Sequence, residues 1–285
     1  MIATDDSSSA AVRPLIVRRP NARGQTLRGL KELPRFGDLF LTLTEHRIRV
    51  RYKQSMLGLS WAVLQPLSMM AIFTLVFSRI AHVSTDGVPY ALFAFSGLLL
   101  WSFVSTCLNN STHSLVSHAQ LIGKVYFPRE ILPLSYVAAG VFDLVIGCGV
   151  LLGILAWYGR PITVHLLLAV PVIVVATILT TALALLLSAL QVRYRDLGLA
   201  VPLVLYLWMF STPIAYPLAQ IPGRYHMLFV LNPLTGIVES FRQVILTSRV
   251  PSPQLLLVPT LVSLILLPIA YAIFKQAETT MADVI

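Results

Sequence analysis

Residues able to do chemistry are scarce in this chain, and their spacing suits none of the common catalytic devices. The six histidines stand apart at positions 46, 82, 113, 118, 165 and 226, mostly in predicted loops, a distribution of solvated side chains rather than of metal ligands. Cys107 and Cys148 both fall inside long apolar runs and support neither a disulfide framework nor a metal site. No G-x-x-x-x-G-K-[ST] loop is present to cradle a nucleotide, and no G-x-G-x-x-G, H-E-x-x-H or C-x-x-C run occurs. The expectation is a chain with no catalytic, cofactor-binding or metal-binding set of its own.

Three polar and aromatic stripes carry more information. Trp61, Gln65 and Ser68 align at helical spacing. So do Ser102, Ser105, Thr106 and Asn109, with Phe95 further along, and then Tyr206, Phe210 and Pro213. Such faces can line a route for a hydroxyl-rich substrate, because rings meet sugar C–H groups while hydroxyls and amides exchange hydrogen bonds with sugar hydroxyls. Ordinary helix–helix hydrogen bonding with interfacial aromatic belts explains any single residue as simply, so both readings stay open. Asp143 falls near the middle of an apolar run. Its burial in lipid costs about 2.5–3.5 kcal/mol, so it must face protein or water. No second charge accompanies it in the run, which favours pairing with a hydroxyl or a neighbouring helix over a polar pathway or proton coupling. Gly149 and Gly153, with Gly147 nearby, form a G-x-x-x-G pattern that predicts close helix packing.

The composition says what must position these residues. Only 12% of the 285 residues are charged and 56% are apolar, with a mean hydropathy of +0.79. That charge is about half the roughly 25% usual in soluble domains. So much apolar side chain cannot be hidden inside one globule, and a soluble enzyme is excluded. The first thirty residues hold no apolar stretch of signal-peptide type.

Six runs are long and apolar enough to cross a layer about 30 Å thick: 59–78, 90–108, 133–158, 164–190, 199–217 and 255–274. The fifth holds Pro202 and Pro213, with Pro217 at its end, and is expected to kink or break. Gly159 to Thr163 form a tight turn between the third and fourth. With the N-terminus inside, 16 of the 21 Lys and Arg fall on cytoplasmic pieces and 5 outside, so both termini are expected in the cytoplasm. The net charge of +9 then follows anionic lipid rather than nucleic acid.

Residues 1–33 are polar and read as a disordered cytoplasmic tail. Within 34–57, Phe36, Leu39, Phe40 and Leu43 precede a crowd of cations from Arg47 to Lys53. The pattern predicts an amphipathic helix in the interface with its cations near phosphates, although RIRVRYK also alternates like a short strand. Residues 58–285 form the membrane domain. Leu115, Ala119, Ile122 and Tyr126 recur at helical spacing on the cytoplasmic side, in a helix that Pro128 should stop. In the outer segment 218–254, Leu234, Ile237, Phe241 and Ile245 predict a short helix dipping into the outer leaflet.

Five pieces in order resemble one family. RYKQSMLGLSWAVLQP (51–66), GLLLWSFVSTCLNNSTHSLVSHAQLIGKVYFPREILPLS (97–135), RYRDLG (193–198), STPIAYPL (211–218) and LNPLTGIVESFRQVIL (231–246) are similar to the permease subunits of ABC-2 type polysaccharide exporters. The resemblance covers roughly residues 36–275; the Arg-rich tail before residue 34 is outside it.

The resemblance implies an all-α integral membrane protein of six transmembrane helices with an N-terminal interfacial helix, a cytoplasmic coupling helix and a re-entrant outer gate region. It implies a second copy of the chain and two separate ATPase subunits, which would bring the ATP and magnesium. By the same likeness, Leu115, Ala119, Ile122, Lys124 and Arg129 would meet the ATPase or anchor that contact. Segment 234–246, with Asn232, Pro233, Glu239 and Arg242 in its region, would close the outer mouth. The expected cargo is a lipid-linked polysaccharide, O-antigen before capsular or teichoic acid polymers. A drug or small-lipid exporter and a proton-coupled carrier are the alternatives.

Overall fold

The computed structural model describes residues 33–53, 58–85 and 87–284. The expected disordered tail lies outside the described residues except for Leu33. Among those described, every regular element is helical: α1 (Gly37–Lys53), α2 (Trp61–Ile80), α3 (Tyr90–His113), α4 (Ala119–Lys124), α5 (Ile131–Trp157), α6 (Val164–Arg193), α7 (Leu197–Phe210), α8 (Gly223–Leu231), α9 (Pro233–Thr247) and α10 (Pro253–Val284). The RIRVRYK stretch is therefore helix, not strand.

The bundle is built around α3, which is buried over most of its surface and packs against α2, α5, α6, α7 and α9. Of its neighbours, α2, α5 and α6 are long and strongly apolar, as suits helices with protein on one side and lipid on the other. The end of the bundle where α3 finishes and α5 begins, here called the base, has its own apolar cluster of Leu115, Phe127, Leu132 and Phe274. Phe36, Leu39 and Leu43 pack against that cluster. The apolar face of α1 thus meets protein instead of lying wholly among acyl chains.

Helix α5 contacts α3 through the face carrying Gly140, Leu144, Gly147 and Leu151, where Gly147 abuts Leu99 and Gly140 abuts Cys107. The expectation for Gly149 and Gly153 is corrected: neither has an atom within 4 Å of where a Cβ would stand. They lie off the face that the 3.6-residue repeat turns toward α3. The turn after α5 is as expected. Gly159 takes φ +64°, and Gly159 and Arg160 donate back to Ala156 and Leu155 at 3.0 Å each, which closes the helix end.

Among the described residues, five helices are long and apolar enough to span a membrane: Trp61–Ile80, Tyr90–His113, Ile131–Trp157, Val164–Arg193 and Pro253–Glu278. The expected sixth, 199–217, is shorter. Helix α7 has 14 residues, about 21 Å at 1.5 Å each, and the chain from Ser211 to Tyr216 is irregular yet mostly buried. Pro213 brings no N–H and clashes with the preceding turn, so the helix stops before it.

The carbonyls from Phe210 to Ala215 all have partners. Phe210 O accepts from the Tyr216 hydroxyl at 2.7 Å, Ser211 O from Asn232 Nδ2 at 3.1 Å, and Thr212 O from the Ile214 amide at 2.7 Å. Arg242 donates to Pro213 O at 2.5 Å and to Ile214 O at 2.6 Å, and the Tyr90 hydroxyl donates to Ala215 O at 2.7 Å. Arg242 also stacks on Phe93 at 3.6 Å and occupies the space left by Gly97, where any Cβ would crowd its guanidinium.

Arg242→Met is expected to strand two buried carbonyls and to cost about 3 kcal/mol, taking 1.5–3 kcal/mol for each bond to a charged donor and allowing for relaxation. Thermal unfolding in detergent should show the loss. Arg242→Lys, which can still reach one carbonyl, should recover part of it, and equal midpoints for all three proteins would contradict this role.

Candidate functional site

A cavity of about 340 Å³ opens between α1, α2, α3 and α5. Two of the three sequence stripes converge there. Trp61 and Gln65 come from α2, and Ser102 and Thr106 come from α3. The same wall continues through Asn110, one further turn along, which the sequence reading passed over in favour of Asn109. The remaining stripe residues lie elsewhere. Phe95 is fully buried in the core and faces no open space. Ser68 is exposed and donates to Leu64 O at 2.8 Å. Ser105 and Asn109 are half-buried outside the cavity wall. Tyr206 and Phe210, exposed on α7, are separate from this space, and Pro213 is buried in the helix break.

Asp143 closes one side of the cavity and does not lack a charged neighbour. Arg51 Nη1 pairs with Asp143 Oδ2, and the Tyr52 hydroxyl donates to Oδ1 at 2.6 Å. Burial, then the bond to this carboxylate, pushes the Tyr52 hydroxyl up to about 12. One turn before Arg51, Arg47 donates to Ser135 Oγ at 2.7 Å and stacks over Tyr136 at 3.4 Å. Burial lowers the Arg47 guanidinium, with Tyr136 acting the other way. Two of the cations expected among phosphates are therefore bolts holding α1 to α5. Their i, i+4 spacing was legible, but the partner of Arg51 lies 92 positions away in sequence.

At the base, Glu130 is wholly buried and was not singled out by the sequence reading. Its carboxylate accepts from Lys275 at 2.8 Å and from the Tyr271 hydroxyl at 3.2 Å, and Lys275 also bonds Glu278 at 2.8 Å. Arg129 donates to Glu278 O at 2.8 Å. The segment before α5 is thus tied to α10 by charge.

The helix expected through Leu115, Ala119, Ile122 and Tyr126 is broken. A 3-10 turn at Val116–His118 leads into the six residues of α4, and Val125 is already extended, three positions before Pro128. Leu115 is fully buried and serves as an anchor in the base cluster, where Leu121 and Ile122 also pack. Ala119 is half-buried. The outward surface belongs to Val116, Gln120, Lys124, Val125 and Tyr126, with Tyr126 78% exposed.

At the other end, Asn232 caps α9 by accepting from the Leu234 amide at 3.1 Å, with Pro233 in the first helical position. Glu239 stands 3.9 Å from Arg242. The stripe of Leu234, Ile237, Phe241 and Ile245 is buried in the core against α3, α6 and α10, not displayed to a lipid leaflet. The exposed apolar residues here are instead Met227, Leu228 and Leu231 on α8.

Among the described residues, these arrangements bring together no nucleophile with an activating base. Comparison with known proteins gives the family. The family described as ABC-2 type transporter matches residues 38–246. An O-antigen export system permease protein of Myxococcus xanthus is 30% identical over 259 residues, covering 90% of this chain and 99% of that protein. Two O-antigen export system permease proteins of Klebsiella pneumoniae are 28% and 27% identical over 249 residues, each covering 87% of this chain and 95% of theirs.

Lys275→Met leaves Glu130 buried without its cation and is expected to cost about 3–5 kcal/mol. Lys275→Met combined with Glu130→Gln should be less destabilised than Lys275→Met alone. Unfolding midpoints of the two single variants and the double measure the coupling, and strict additivity would show that the pair does not interact.

Proposed function

Because this chain belongs to the ABC-2 type transporter family, we propose that it is the permease subunit of an exporter that moves a lipid-linked polysaccharide out across the bacterial inner membrane. The observation that carries this reading is the 30% identity to an O-antigen export permease across 99% of that relative's length. An O-antigen polymer is the first cargo to test, ahead of capsular and teichoic acid polymers. ATP hydrolysis belongs to a separate subunit, in keeping with a sequence that has no phosphate-binding loop.

In this proposal α7 and the irregular stretch after it make the sixth crossing. Support comes from the partnered carbonyls from Phe210 to Ala215, the condition for non-helical backbone at membrane depth. The bias of Lys and Arg, 16 of 21 on one set of pieces, puts the base and both termini in the cytoplasm. Two copies enclose the path, and α8 with α9 forms the re-entrant outer gate, supported by the exposed apolar residues of α8. The ATPase meets the outward residues Gln120, Lys124, Val125 and Tyr126. Ala119 and Ile122 back that surface, Leu115 anchors it, and Arg129 links it to α10 through Glu278. Nucleotide-driven movement there can bias the permease only through such contacts. Asp143 is an anchor in this scheme, held by Arg51 and Tyr52.

Co-expression with an ATPase encoded beside it should yield a complex containing two of each subunit. Tyr126→Asp changes an exposed side chain, so the permease should fold and reach the membrane while polysaccharide at the cell surface falls at least tenfold. Normal export by that variant would refute the coupling surface. Asp143→Asn should keep export dependent on ATP and indifferent to collapse of the proton gradient; loss of export on collapse would favour a carrier.

A further inference from the structure

The cavity between α1, α2, α3 and α5 carries an inference that rests on the proposed function and deepens it. Hydroxyl side chains inside helices of this protein mostly turn back on their own backbone. Ser68, Thr112, Thr177, Thr180 and Ser263 each donate to the carbonyl four residues earlier, at 2.6 to 2.8 Å. Ser102 and Thr106 do not. Among the described residues, no hydrogen bond engages the side chains of Ser102, Thr106, Asn110 or Gln65, although all four line the same cavity. Three of them stand at i, i+4 and i+8 on α3, one above another along one face. Gln65 is exposed and the other three are half-buried, so the donors and acceptors gathered here are open to a polar ligand that enters the cavity.

Their chemistry says what fits. Each of the four both donates and accepts, as a sugar hydroxyl does, and none carries charge. Trp61, 49% exposed at the rim, offers a flat ring to the C–H face of a pyranose. Asp143 adds carboxylate oxygens, with Arg51 and Tyr52 already fixing its position. About 340 Å³ is room for one or two rings, at the small end of ligand pockets. An anion is less suited, because Arg51, the cation of the wall, already faces Asp143.

We infer that this open cavity, formed within a single copy of the chain, is a sugar-binding pocket that takes one or two residues of the glycan, stacked on Trp61 and hydrogen-bonded to Gln65, Ser102, Thr106 and Asn110. It selects for the glycan part of the cargo and not for its lipid.

The test uses the full complex with its ATPase in nanodiscs and, as probe, a short oligosaccharide released from the cells' own polysaccharide and freed of lipid. Equilibrium titration should give saturable binding. Thr106→Val and Asn110→Leu should each weaken it about tenfold, whereas Thr106→Ser, which keeps the hydroxyl, should stay within threefold of the parent. Trp61→Leu should weaken it about tenfold and Trp61→Phe much less; Thr177→Val, outside the cavity, should leave it unchanged. Equal binding by Thr106→Val, Asn110→Leu and the parent would overturn the pocket while leaving the export function standing. So would a parent complex that exports polysaccharide yet binds only the lipid-linked form. A complex that exports no polysaccharide at all would overturn the function and the pocket with it.

Discussion

A carbonyl released from a helix inside a membrane protein has no water to turn to, and the fold of this chain is organised around meeting that need at one place. Helix α7 ends at Phe210, and the carbonyls that follow find donors on four different parts of the molecule. Arg242 is central because one guanidinium supplies two of those bonds and brings α9 against the break. Its head needs room, which Gly97 gives, and an aromatic face to stack on, which Phe93 gives. Asn232 serves twice: it caps α9, and it donates to Ser211 O while accepting from the Trp208 indole at 3.0 Å. The break, the cap and the buried helix are therefore one polar assembly, not three local features.

The opposite end uses charge in a different way. Glu130 and Lys275 are both buried, so each requires the other, and the pair fastens the segment leading out of α4 to the long last helix. A second pair, Arg51 with Asp143, fastens α1 to the middle of α5. Leu115, Phe127 and Phe274 fill the space among these ties. Behind the exposed face of Tyr126 and Lys124 the base is thus both packed and ion-paired.

The cavity lies where these ties meet α2 and α3. Its polar wall on α3 is formed by Ser102, Thr106 and Asn110, whereas most of that central helix is core. The base-side bolt of Arg51 and Tyr52 forms its boundary, so movement of α1 would open or close it directly.

Much of this was legible before any coordinates. Hydropathy gave the helical class and five of the crossings, because a segment that must bury its backbone in lipid advertises itself over some twenty residues. Local chemistry gave the turn at Gly159 and the cap at Asn232-Pro233, since those depend on neighbours in sequence. Proline marked the fifth run as breakable at Pro213, but not that the helix would stop at 14 residues. Periodicity aligned Ser102 with Thr106 and Trp61 with Gln65, yet it could not separate Asn110 from Asn109, or an open face from the core position of Phe95. Those outcomes, like the pairing of Arg51 with Asp143 and of Glu130 with Lys275, were decided by tertiary structure alone. The sequence determined which segments avoid water; only the packed bundle decided which polar groups face one another, because a hydrogen bond or ion pair depends on distances of a few ångströms between residues that sequence sets some ninety to one hundred and forty-five positions apart.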